Sequence, residues 1–192
     1  MRFAGADDLA RPGLDRGLWL TDEVALLIRL VAPPARHRPV EWSNIEQALR
    51  VQLPEDYKGL IDAYGPGSFD GFIWIFQPAS DNPNLDLLAQ TRTQLASLRE
   101  RRASEPDFAV RIYPELGGLL PWGITDNGDV GFWRVEPGDA RWPLVVLEAR
   151  GAERYEYTGG LAAFIRDVLT GRERVTFFPA DFPSTRPAFT PE

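Results

Sequence analysis

At 192 residues, with 44% hydrophobic and 11% aromatic side chains, the chain suffices for one packed domain, which excludes global disorder. Its formal charge of −7 excludes a general nucleic-acid binder, which needs a basic footprint for the phosphates, and favours a basic partner. There is no cysteine, so disulfides, thiolate nucleophiles, iron–sulfur clusters and cysteine-ligated zinc are ruled out.

The N-terminus, MRFAGADDLARPG, carries acids and Pro12 where a signal peptide needs an apolar core. The apolar run at 24–31 is interrupted by Arg29 and far shorter than a membrane span. A cytoplasmic protein without membrane contact is therefore expected. Thr21 suits a helix cap, with Asp22 and Glu23 at the favourable end of the dipole and Leu26, Leu27 and Leu30 as a face. Pro33 and Pro34 end it. Residues 35–39 read as a basic linker, so residues 1–40 form an N-terminal arm. That linker holds His37, the only histidine, on which any serine triad or multi-histidine metal site would have to be built.

Ser43 and Glu46 have the spacing of a capping box, with Ile45, Ala48 and Leu49 inward. The stretch 53–69, LPEDYKGLIDAYGPGSF, has a clear start, face and stop. Pro54 suits the first helical position, and Glu55 and Asp56 follow in the first turn. Tyr57, Leu60, Ile61 and Tyr64 make one apolar stripe, Gly65 sits at the C-cap and Pro66 forbids resumption. Residues 67–71 then turn the chain into 72–76, FIWIF, a run apolar enough for a buried strand.

After loop residues 77–83, Asn82 and Pro83 offer a helix start, and Leu85, Leu88, Leu95 and Leu98 continue the stripe. Arg99, Arg101 and Arg102 gather at its end, where they complement the dipole or form an anion site. Residues 108–112 alternate like an edge strand. Asn127-Gly128 signals a two-residue hairpin turn, which would set Asp126 opposite Asp129, Thr125 opposite Val130 and Trp122 opposite Trp133. Two like charges face to face invite a compensation: turn chemistry, an acidic docking point, or a bound cation.

Residues 137–139 turn the chain, 143–147 read as a buried strand and 154–157 as an alternating one. Thr158 opens a helix with Leu161, Phe164, Ile165, Val168 and Leu169 on one face, and 175–178 is a last extended piece. The order predicts an α+β fold, a mostly antiparallel sheet with helices packed against it, occupying 41–179 and followed by a Pro-rich tail at 180–192.

The pattern LPxDYKxLIxxYGxGxF at 53–69, read with LLPWGITDNGD at 119–129, resembles the SUKH superfamily of bacterial toxin-immunity proteins and cell-wall regulators. The resemblance covers roughly residues 42–179. It implies a SUKH-like fold and a protein-binding module in place of an enzyme. Joined to the acidic balance, it leads us to expect an immunity-type protein that neutralises a basic toxin, with no cofactor and no metal. A regulatory scaffold is the alternative. A hydrolase built on Glu46, Asp56, Asp70 or Asp126 is a further one, but no spacing singles out a pair. The expected contacts are Asp70, Asp126 and Asp129, with Trp122 and Trp142 as aromatic anchors, since aromatics rimmed by acid have hot-spot composition.

Overall fold

The computed structural model describes residues 21–34, 40–136, 138 and 141–192; His37 and the linker around it lie outside them. The described residues form five helices and one seven-stranded antiparallel sheet.

Helix α1 (Asp22–Leu30) is capped by Thr21, whose side chain accepts from the Val24 N–H. Its buried side is Val24 and Leu27, continued by Val31, while Leu26 and Leu30 remain exposed. The period of the helix selects Val24, Leu27 and Val31 as the ridge that meets its neighbours.

Helix α2 (Trp42–Leu49) starts two residues too early for the capping box, and Glu41 at its N-cap makes no side-chain bond. Glu46 turns inward: its Oε1 accepts from the Leu53 N–H at 2.9 Å and lies 2.6 Å from Lys58 Nζ. Lys58 is 4% exposed, and a desolvated ammonium demands a counter-charge more strongly than a helix end demands a cap.

Helix α3 (Glu55–Tyr64) buries Tyr57, Leu60, Ile61 and Tyr64, as the spacing predicts. Pro54 stands at its N-cap, one place earlier than expected, and Gly65 closes it with φ 67°. The Tyr57 hydroxyl donates to the Phe76 carbonyl at 2.6 Å and that of Tyr64 to the Val31 carbonyl at 2.7 Å, fastening α3 to the sheet and to the end of α1. Within the stretch read as a plain turn, β1 (Gly67–Phe69) forms a hairpin with β2 (Ile73–Ile75).

Helix α4 (Leu87–Ser104) is capped by Asp86, which accepts from the Ala89 N–H at 2.7 Å. It cannot begin at Asn82, because Gln77 pairs with the backbone of Leu85 and Leu87 and holds that segment as a loop. Residues 108–112 form no strand; Ile112 makes one isolated bridge to Leu119.

Strands β3 (Leu119–Thr125) and β4 (Val130–Arg134) form the expected hairpin in a different register. The Thr125 N–H bonds the Asp129 carbonyl, so the loop is the three residues 126–128, with Gly128 at φ 92°. A bulge between Pro121 and Gly123 shifts the pairing again, and Trp133 lies opposite Leu120. The Trp122–Trp133 pair therefore does not form. Trp133 packs edge-on against Tyr57 and Trp142, at 4.9 and 6.0 Å between ring centres.

Strands β5 (Leu144–Leu147) and β6 (Arg154–Tyr157) complete the meander, β5 buried throughout and β6 alternating. Helix α5 (Leu161–Leu169) starts later than Thr158 suggested, with Gly160 at its N-cap. Residues 175–178 make a turn in place of the expected extended piece.

The sheet order is β6-β5-β4-β3-β2-β1-β7, where β7 (Phe189–Pro191) comes from the Pro-rich C-terminal segment and pairs with β1. Phe189 lies 5.0 Å from both Tyr64 and Phe69, and Phe182 lies 4.6 Å from Phe72. This segment covers the otherwise open edge of β1. Each face of the sheet has its own core. Residues from α1, α3 and α5 pack against Leu120, Trp133, Leu144 and Val146 on one side. Leu95 and Leu98 of α4 pack with Phe132, Val145 and Leu147 on the other.

Candidate partner-binding surface

An antiparallel meander brings alternate connections to one end of the sheet. Here the β1–β2, β3–β4 and β5–β6 turns share an end, because Ile73 pairs with Thr125 and Val130 with Leu147. Hydrogen bonds join the three turns. The Asp126 N–H donates to the Phe72 carbonyl at 2.9 Å, and the Ala149 N–H donates to Asp129 Oδ1 at 3.0 Å. The same Asp129 accepts from the Thr125 hydroxyl through Oδ2 at 2.8 Å.

Of the five residues expected to contact a partner, this end brings together Asp70 and Asp126. Asp126 is exposed at the β3–β4 tip. Asp70, partly buried with φ 56°, is held by Ser184, whose N–H and hydroxyl both donate to its carboxylate. The remaining three are buried and serve the fold. Asp129, 3% exposed, ties two turns together, which also removes the like-charge clash, since it lies opposite Thr125 and not Asp126. Trp122, 2% exposed, lies over Gly131 and against Phe164. Trp142, 3% exposed, donates its Nε1–H to the Glu136 carbonyl. Burial removes these three from the exposed surface: the two large indole rings gain more from the core than from water, and the Asp129 carboxylate is satisfied by the Thr125 hydroxyl and the Ala149 N–H.

The turn residues 70–72, 126–128 and 148–153 carry Asp70, Asp126, Glu148 and Glu153 against the single cation Arg150. Glu148 and Glu153 escaped the sequence reading, because only strand pairing places that turn beside the other two. Glu148 Oε2 accepts from the Glu153 N–H at 3.3 Å, and Glu153 Oε2 from the Thr176 hydroxyl at 2.9 Å. The four carboxylates are thus set on a braced platform, and a platform that does not reorganise costs little entropy on binding.

The carboxylates considered for hydrolysis are engaged separately. Glu46 serves Lys58, Asp56 bonds the N–H of Ala162, Asp70 bonds Ser184 and Asp126 stands at the hairpin tip. The arginines at the end of α4 pair with acids, Arg101 with Glu105 and Arg102 with Glu115 at 2.9 and 2.8 Å. The Arg102 bond holds the Glu115 carboxyl below its ordinary range. Among the described residues no helix is long and apolar enough to cross a membrane.

No curated protein and no solved structure matches the chain. A family model does: SUKH_6, described as SMI1-KNR4 cell-wall, matches residues 40–165, from just before α2 to the middle of α5. That match covers more than half of the chain and includes both motif blocks, and the chain belongs to the SUKH_6 family.

Proposed function

We propose that this protein is a non-enzymatic binding module of the immunity type, which masks a basic toxin domain with the turn-bearing end of its sheet. The observation that carries this reading is the bonding of three turns into one platform that presents Asp70, Asp126, Glu148 and Glu153 against Arg150. The excess of carboxylates steers a cationic partner from a distance of about one Debye length, roughly 8 Å at physiological salt. Asp70 and Asp126 remain the contacts of the proposed interface, joined by Glu148 and Glu153, and the buried Asp129 ties the turns together beneath them.

The test is co-expression with basic toxin domains encoded beside this chain, scored by growth, followed by binding kinetics in a salt series. Growth should be restored, and association should slow with added salt. The Asp126→Asn/Glu153→Gln variant should slow it about three- to tenfold, since rim charges act on the association rate. A complex indifferent to both salt and variant would sink the acidic platform. The family description names the cell wall, and this favours a second reading as a regulatory scaffold. A stable complex with a host enzyme, without any rescue from toxins, would select it.

A further inference from the structure

Away from the turns, a cleft of about 960 Å³ opens between the link from α2 to α3, one ridge of α4 and the segment at 113–114. Helix α4 contributes Thr91, Leu95 and Arg99, each four residues from the next and therefore on one ridge. Arg50 lines the opposite wall from the left-handed C-cap of α2, at φ 58°. Neither the Arg50 nor the Arg99 guanidinium makes a hydrogen bond or ion pair among the described residues, whereas Arg101 and Arg102 of the same helix are both paired.

Thr91 gives a second, independent indication. It is 7% exposed, and its Oγ1 has no hydrogen-bond partner. A helical threonine ordinarily bonds the carbonyl four residues back, as Thr93 does to Ala89 at 3.2 Å. Buried polar groups without partners are uncommon, and a ligand or ordered water is one way in which such a group is satisfied. Leu53, Pro54 and Trp142 give the wall an apolar part, beside the polar Gln52 and Tyr113. One carboxylate among the described residues, that of Glu55, also lines the cleft; its Oε1 lies 3.2 Å from Lys58, which is shared with Glu46, and its Oε2 is buried without a hydrogen-bond partner.

We propose that this cleft is a binding site for a small organic anion, a carboxylate or phosphate carried on an apolar body. Arg50 and Arg99 hold the anionic group, and Leu53, Leu95 and Trp142 enclose the body. The volume falls within the range of small-molecule sites, and guanidinium is the side chain suited to two-point recognition of either anion. The site is separate from the turn platform, so its occupancy stands or falls independently of the proposed partner.

The probe is 8-anilinonaphthalene-1-sulfonate, an aromatic anion, titrated into the full chain by fluorescence. Wild type should bind one equivalent saturably, and Arg50→Ala/Arg99→Ala should weaken binding at least tenfold. Arg174→Ala, an exposed cation outside the cleft, should leave it within twofold. Competition then identifies the head group. Displacement by 2-naphthoate marks a carboxylate site and by 2-naphthyl phosphate a phosphate site, while 2-naphthol should fail. Thr91→Val should weaken binding without lowering the urea midpoint of the free chain. If the double variant fails to fold, Arg99→Ala alone, on an exposed helix position, gives the reading. Absence of binding by wild type, equal binding by the arginine variants, or equal displacement by 2-naphthol would overturn the proposal.

Discussion

Asp56, in the first turn of α3, accepts a hydrogen bond at 3.1 Å from the main-chain N–H of Ala162, in the first turn of α5. Its other oxygen accepts from the Tyr57 N–H at 2.9 Å. One carboxylate therefore serves the N-terminal ends of two helices. Helix α5 needs it, because Gly160 at its N-cap has no side chain to offer. Gly160 is needed in turn, since a Cβ there would collide with Asp56 Oδ2.

Asp56→Ala should lower stability by about 2 kcal/mol, the sum of a lost cap and of N–H groups left buried without an acceptor. Burial raises the Asp56 pKa above its ordinary 3.8, against the opposing pull of the Ala162, Tyr57 and Leu161 N–H groups. A carboxyl whose folded pKa is raised contributes stability that is fully present below its unfolded pKa and is lost as pH rises through the folded one. Asp56→Asn keeps an acceptor and has no charge. The advantage of wild type over Asp56→Asn should therefore shrink as pH rises from about 4 towards neutrality. Urea midpoints of the two proteins across that range check the sign, and the subtraction cancels the other carboxylates.

Glu46 and Ser43 separate the two accounts of α2. A capping box would make Ser43→Ala cost about 1 kcal/mol. With Glu46 engaged by Lys58 and the Leu53 N–H, Ser43→Ala should stay within about 0.5 kcal/mol of wild type. Glu46→Ala should cost about 3 kcal/mol, because it strips a buried ammonium of its closest partner. Chemical denaturation of both variants decides between them.

Gly131 lies under the indole of Trp122, and a Cβ there would overlap the ring. Gly131→Ala should destabilise the fold by about 1–3 kcal/mol through overpacking. Near-ultraviolet circular dichroism should change with it, as Trp122 leaves its contact with Phe164. Restoring room with Trp122→Leu on the Gly131→Ala background should recover part of the loss, a coupling expected only of neighbours.

Phe189 bridges Tyr64 and Phe69 from the last strand of the chain. Phe189→Ala should cost about 2 kcal/mol, less than a wholly buried phenylalanine because it is only partly covered. Removal of 180–192 should cost more and should promote self-association, since it bares the edge of β1 together with Phe69 and Phe72. Light scattering during thermal unfolding of the truncated chain reads the second effect.

What could be read from the sequence was what a short window fixes. The stripe of α3 and its glycine stop, the buried β5, the apolar face of α5 and the existence of a hairpin at Asn127-Gly128 all depend on neighbours within a few residues. The family motif belongs to the same class, being two compact blocks at 53–69 and 119–129. Which candidate contacts share a surface was not legible: Asp70 and Asp126 stand at the turn-bearing end of the sheet, while Trp122, Asp129 and Trp142 are buried.

The chain by itself determined that helices would pack on an antiparallel sheet, because periods of 3.6 and 2 and the need for positive φ are written locally. Tertiary structure alone decided the register, through one extra loop residue and one bulge, each of which moves side chains between the core and water. It also decided that Glu46 would meet Lys58, that Asp56 would serve a helix 106 residues away, and that Phe189 would return to Tyr64. Such partnerships form because desolvated groups take the nearest complementary surface in space, and distance along the chain carries no record of which surface that is.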